Sequence, residues 1–149
     1  MDTYRPRKFE FAVLVAIIGM LAAVLIVALE RARQDFEAVA VRTEAAAIRV
    51  ELLDRLAHRE IVGGKLPESN NPILWIARQP DGYRGELDAE PKERGIWYFD
   101  RSREELVYRF RVAREARFRL VRGAEALGVA GTFAGVGLQS VEVNNEPVK

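Results

Sequence analysis

An uninterrupted apolar run from Phe9 to Leu29 constrains this chain more than any other feature of its sequence. The run, FEFAVLVAIIGMLAAVLIVAL, contains a single charged residue, Glu10, near its start. At 1.5 Å rise per residue, a helix of this length spans about 30 Å, the thickness of the hydrocarbon core of a bilayer. The apolar region of a secretory signal peptide usually has only about 7–15 residues. We therefore predict a retained transmembrane helix over residues 9–29.

The residues on either side of this run predict its orientation. Arg5, Arg7 and Lys8 precede it with only one acidic residue, Asp2, whereas acidic residues dilute the arginines that follow it. Basic flanks remain on the cytoplasmic side of a membrane. We expect residues 1–8 to be a cytoplasmic basic leader and everything after residue 30 to lie on the other side of the membrane, anchored by a single pass.

Composition limits the chemistry that the rest of the chain can perform. The 149 residues carry a net charge of +1 and no cysteine, so neither a disulfide nor a thiolate metal site can form. His58 is the only histidine, which excludes a histidine pair or relay. The sequence also lacks a glycine-rich phosphate loop and a nucleophile elbow. We expect no catalytic residues, no cofactor, no metal and no small-molecule substrate.

Residues 30–62 predict an extramembrane continuation of the same helix. They contain no Gly or Pro and are rich in helix-forming residues, and the pair Gly63-Gly64 followed by Pro67 supplies a stop.

This segment carries two apolar rows. The wider face contains Phe36, Val39, Ala40, Thr43, Ala46, Ala47, Val50, Leu53, Ala57 and Ile61, and the narrower row contains Val41, Ala45, Ile48, Leu52 and Leu56. We predict that the wider face packs on the protein's own sheet and that the narrower row meets neighbouring subunits. The alternative is a helix that its sheet embraces on both rows.

The remaining residues, 63–149, predict a β-rich globular domain and hence an α+β fold. A long connection over residues 63–94 contains a short helical turn at Ile73–Ile76, which Asn71 and Pro72 would begin. We predict an antiparallel sheet of about four strands at Ile96–Phe99, Glu105–Val112, Arg117–Arg122 and Val136–Val143, with a bulge at Gln139-Ser140 and a frayed tail from Asn144.

The start of the apolar run resembles the N-terminal helix of type IV pilins and of type II secretion pseudopilins. In that family a basic leader ends in Gly, followed by Phe, a short apolar step, a Glu, and an apolar helix with a Gly nine positions after the Glu. Glu10 and Gly19 have this spacing, and the segment AIIGMLAA reads as in many members. The resemblance covers about residues 5–33, and the order of the downstream elements agrees with it.

The resemblance implies a pilin-like fold and a structural role. The chain would be a minor pilin or pseudopilin subunit of a type IV pilus or type II secretion machine, with other subunits, an inner-membrane assembly platform and the lipid bilayer as partners. It would be anchored in a bacterial inner membrane, with its globular domain in the periplasm. Glu10 would pair with the amino terminus of a neighbouring subunit; alternatively, it reaches the headgroups beside Lys8. The family's calcium site would have only Glu142, Asn144, Asn145 and Glu146 to draw on.

The candidate leader-processing junction, Lys8 and Phe9, departs from the family pattern. The family's peptidase cuts after Gly, but Lys8 stands at that place, and only Phe9 lies between Lys8 and Glu10. We predict inefficient or absent cleavage, so that the mature chain would begin at Met1. An uncleaved single-pass accessory protein of such a machine is therefore an alternative function.

A membrane-tethered module for DNA or another ligand is a second alternative. Arginines are frequent between residues 101 and 122, where they would mark the solvent face of the strands. Trp97 and Tyr108 could stack on bases beside such a basic surface. We favour the solvated face over a nucleic-acid surface, because nothing in the spacing selects bases.

Overall fold

The computed structural model of the protein describes residues 6–141, and its first element is a single long helix. This helix, α1, runs from Pro6 to Val62. It ends where the sequence predicts: Gly63 adopts a φ of 81° and donates its N–H to the Arg59 carbonyl at 2.7 Å. Glycine adopts this left-handed conformation without steric strain, so the pair Gly63-Gly64 terminates the helix.

The chain divides into two compact units, residues 1–38 and 39–149. The described part of the first unit is helical, and its large apolar side chains are exposed, with Phe9 72% and Met20 73% accessible. The most apolar stretch of α1 has a mean hydropathy of 3.1, and none of it is buried. By length and composition this segment can span a membrane.

The second unit contains a five-stranded mixed sheet. Its strands are β1, Tyr83–Leu87; β2, Ile96–Asp100; β3, Glu105–Arg109; β4, Glu115–Arg122; and β5, Val136–Val141, and they follow one another across the sheet in chain order. Strands β2 to β5 are antiparallel, and β1 lies parallel to β2 at the edge. Short 3₁₀ turns occur at Pro72–Trp75 and Gly123–Ala126.

This sheet confirms the α+β class and corrects three details of the sequence prediction. The predicted sheet lacked β1, because its residues YRGEL include no β-branched side chain and do not alternate between polar and apolar. Strand β3 ends at Arg109 instead of Val112, because the Phe110 N–H turns to bond the Arg114 carbonyl. The bulge predicted at Gln139-Ser140 is wrong, since the β4–β5 register is unbroken; the irregularity lies in β1.

Some predictions concern residues outside the described range. They are the basic leader up to Arg5, the last two residues of the predicted final strand, the frayed tail and the acidic residues of the tail.

The two faces of the sheet differ in character. The strand registers place Trp97, Leu106, Phe118 and Leu138 on one face, and all four are buried. Charged residues of β3 and β4 dominate the opposite, outer face. The apolar face forms one core with the buried side chains of α1 and of the turn at Pro72–Trp75.

The burial predicted for the two rows of α1 is wrong, because the row expected to be exposed is buried and most of the wider face is exposed. The narrower row, Val41, Ala45, Ile48, Leu52 and Leu56, is only 1–4% exposed. On the wider face, Phe36, Val39, Val50 and Ile61 are 58–85% exposed. The physical reason is side-chain size. The narrower row presents a large aliphatic side chain on almost every turn, whereas only Thr and Ala separate Val39 from Val50 on the wider face, and burial free energy follows the apolar area removed from water.

Candidate functional surfaces

Within the second unit, polar side chains on both flanks of the buried row fix the orientation of helix residues 39–62 against the rest of that unit. On one flank, Arg49 donates from Nε to the Leu138 carbonyl of β5 at 3.1 Å. On the other flank, Glu51 accepts from the backbone N–H groups of Ala77 and Arg78 at 2.7 and 3.2 Å. Glu44 pairs with the Arg78 guanidinium at 2.7 Å. These contacts hold the wider apolar face toward solvent.

The exposed apolar face within the second unit forms a continuous surface, which we call the exposed helix stripe. It comprises Val39, Ala40, Thr43, Ala46, Ala47 and Val50, and all six are exposed. Its one hydroxyl, on Thr43, donates back to the Val39 carbonyl at 3.0 Å, so the stripe presents little unsatisfied polar surface. Small side chains between two valines permit a second helix to approach closely.

The residues that carry the pilin resemblance lie in the first unit. Glu10 is on the exposed helix together with Lys8 and Phe9. A Cβ added at Gly19 would meet no atom within 4 Å, so packing inside the described chain does not require glycine there. Any requirement for a small residue at Gly19 must therefore come from a partner outside this chain.

A buried asparagine, which sequence reasoning identified only as a helix start, connects the long loop to β1. Asn71 is fully buried; its Oδ1 accepts from the Ile73 N–H at 3.0 Å. Its Nδ2 donates to the Tyr83 hydroxyl at 2.8 Å and to Glu86 Oε1 at 2.9 Å. The Asn71 bond lowers the pKa of Glu86, while burial raises the pKa of Tyr83. The Asn-Pro dipeptide was the only sequence signal for this network.

The outer face of the sheet carries an ion-pair network centred on Arg117. This guanidinium lies 2.5 Å from Glu115, 3.2 Å from Glu105 and 3.9 Å from Asp100. Glu105 is itself buried and also pairs with Arg119 at 2.6 Å. Beneath the network, Tyr98 is fully buried, and this burial raises the pKa of its phenol to about 12.

Carboxylates therefore compensate several of the arginines between residues 101 and 122. Arg101 pairs with Glu86 and Asp88, and Arg109 pairs with Glu90. Trp97 is 3% exposed and packs on Tyr108 at 5.0 Å between ring centroids, so the indole offers no free face for a base. This geometry favours the solvated strand face over a nucleic-acid surface.

No protein family, curated protein or solved structure matches this chain. Within residues 6–141 there is also no group of three or more metal-ligating His, Asp or Glu side chains. The exposed surfaces of the helix and the charged groups of the second unit are therefore the features of residues 6–141 that can indicate a function.

Proposed function

We propose that this protein is a structural, pilin-like or pseudopilin-like subunit that a membrane helix anchors and that assembles through the exposed surfaces of α1. The observation that supports this proposal most directly is the pair of opposed apolar rows on one helix. A helix that served only its own domain would need the buried row alone.

The exposed helix stripe replaces the row that the sequence suggested for assembly. Val41, Ile48, Leu52 and Leu56 are enclosed in the chain's own core and cannot contact a neighbour. Val39 and Val50, by contrast, keep 58% and 66% of their surface in solvent. We propose that a helix of a neighbouring subunit covers this stripe, and that Glu10 and Gly19 fix the register of subunits within the membrane.

The location follows from the same proposal. The apolar segment would anchor the chain in the bacterial inner membrane with residues 1–8 in the cytoplasm, so that the second unit would occupy the periplasm. An assembly platform in the same membrane would then be a partner of the N-terminal helix.

The absence of cysteine makes a direct test simple. A single Ala47→Cys variant, expressed in its native membrane, should form disulfide-linked species when oxidised, because Ala47 lies in the centre of the stripe. Mass spectrometry should identify the linked chains as copies of this protein or as proteins with a similar apolar N-terminal helix. Glu10→Ala should reduce the linked fraction if Glu10 sets the register.

The matched control is Glu125→Cys, which is also exposed but lies in the turn before β5. Linkage at Ala47→Cys no stronger than at Glu125→Cys would contradict assembly through the stripe. Sequencing the N-terminus of the mature protein separates the two membrane roles: a chain that starts at Met1 favours the uncleaved accessory protein, and one that starts at an N-methylated Phe9 favours the processed subunit.

A further inference from the structure

A cleft of about 330 Å³ lies at the end of the sheet where β3 turns into β4. The loop between β1 and β2 forms one wall, and the β3–β4 turn forms the other. Its lining residues are Glu90, Arg94, Arg109, Val112, Ala113, Arg114 and Glu115. This volume is at the small end of the range for ligand pockets, roughly 300–1,000 Å³.

Three of the charged residues that line the cleft, Arg109, Glu90 and Glu115, already form ion pairs within the chain. Arg109 pairs with Glu90 and donates to the Pro91 carbonyl. Glu115 pairs with Arg117, which approaches from the outer face of the sheet, at 2.5 Å. These pairs neutralise both carboxylates of the lining.

The other two arginines of the lining, Arg94 and Arg114, have no carboxylate partner within residues 6–141. Arg94 donates one N–H to the Arg111 carbonyl at 3.1 Å, and the Arg114 guanidinium lies 4.5 Å from the Phe110 ring centroid. Each contact orients the guanidinium and leaves most of its five N–H donors available. Side chains that are oriented in advance lose less conformational entropy when a ligand binds.

The geometry points to a binding site for a phosphate group carried on a small hydroxyl-bearing molecule. Arg94 and Arg114 come from opposite walls, so they can approach one tetrahedral phosphate in different planes, whereas a planar carboxylate matches one guanidinium fork. Glu90 and Glu115 place acceptor oxygens in the same cleft, and these suit the hydroxyl groups of the carrier. A free sugar or glycerol phosphate and the glycerol-phosphate headgroup of an anionic lipid share this chemistry. The inference does not depend on the assembly role proposed above.

Calorimetric titration of the full chain in nanodiscs of zwitterionic lipid, with glycerol 3-phosphate as the probe, tests the site. Arg94→Gln combined with Arg114→Gln should weaken binding at least tenfold, because two charge-assisted contacts are lost and each factor of ten corresponds to about 1.4 kcal/mol. Ala113→Phe should weaken it similarly by filling the exposed mouth of the cleft without changing charge. Glycerate, which has a carboxylate in place of the phosphate, should bind more weakly.

The control Arg42→Gln combined with Arg103→Gln removes the same charge from exposed positions outside the cleft and should leave affinity within twofold. Absence of binding, an equal loss in this control, or equal affinity for glycerate would overturn the proposal. Adding phosphatidylglycerol to the nanodiscs identifies the source of the phosphate. A lipid occupant lowers the affinity for glycerol 3-phosphate in the wild type but not in the cleft variant, whereas a free metabolite leaves that affinity unchanged.

Discussion

Both rows of α1 consist mainly of apolar residues, but one row is buried and most of the other is exposed. The row through Ile48 and Leu52 is 2% exposed at both positions, whereas Val50, between them in sequence, is 66% exposed. A row's width and residue count therefore do not decide which face a sheet covers. The larger aliphatic side chains do, together with the flanking contacts of Arg49 on one side and Glu51 on the other.

The largest expected effect is a difference in stability between the two rows. Leu52→Ala should lower the free energy of unfolding of the second unit by about 2–5 kcal/mol, because it leaves a cavity in the core. Val50→Ala should change it by no more than about 0.5 kcal/mol, as is usual for an exposed site. Tryptophan fluorescence of the full chain in detergent micelles is a suitable measurement, since both tryptophans, Trp75 and Trp97, are buried in this unit. Equal losses would mean that both rows are covered.

A second test makes the same comparison of a buried with an exposed site at two adjacent asparagines. Asn71 is fully buried and satisfied by three hydrogen bonds, whereas the neighbouring Asn70 makes an exposed bond to Glu104 at 2.7 Å. Asn71→Ala should cost about 1–3 kcal/mol, because it leaves buried polar groups without partners. Asn70→Ala should cost distinctly less in the same unfolding experiment. If the two variants are equally stable, burial does not determine how much these hydrogen bonds contribute to the free energy of unfolding.

Acid unfolding tests the hydrogen bonds of Asn71 through the charge of the Glu86 carboxylate. The hydrogen bond from Asn71 lowers the pKa of Glu86 below the ordinary glutamate value of 4.5. Because the folded value is depressed, the stabilisation is present above pH 4.5 and is lost as the pH falls through the folded value. The difference in melting temperature between the wild type and Glu86→Gln should therefore be largest near neutral pH and should shrink below pH 4.5. A difference that is constant between pH 7 and pH 3 would contradict this linkage; Glu125→Gln is the exposed control.

The melting temperature above pH 10 tests the burial of the Tyr98 phenol. Because the pKa of Tyr98 is raised to about 12 from an ordinary 10.0, its stabilisation is complete below pH 10 and is lost as the pH rises toward 12. Removing the ionisable hydroxyl with Tyr98→Phe should make the melting temperature fall less steeply between pH 10 and 12. An unchanged slope would show that the phenol does not titrate with unfolding.

The smallest expected effect concerns the outer-face arginines. Carboxylates compensate Arg109 and Arg119, so the full chain should retain DNA only near background in low salt. The triple variant Arg109→Gln, Arg111→Gln and Arg119→Gln should leave this background unchanged. Salt-sensitive retention that the triple variant loses would establish a nucleic-acid surface.

The sequence by itself determined the elements that depend only on residues close together in the chain. The apolar run from Phe9 to Leu29, the stop at Gly63-Gly64 and the strand-forming residues of β2 to β5 each depend on a short stretch of chain, and the structure has a long helix and strands in those places. The α+β class follows from these elements.

Only the tertiary structure decided which row of α1 is buried, where β1 lies and which arginines are paired. Each depends on residues far apart in the chain. Arg49 meets β5 across 89 positions, and Arg117 gains Glu105 only because β3 and β4 pair in one register. Burial and ion pairing are properties of the packed arrangement, because their free energy depends on which surfaces are removed from water together. A pattern of residue types fixes which faces are available, and packing selects among them.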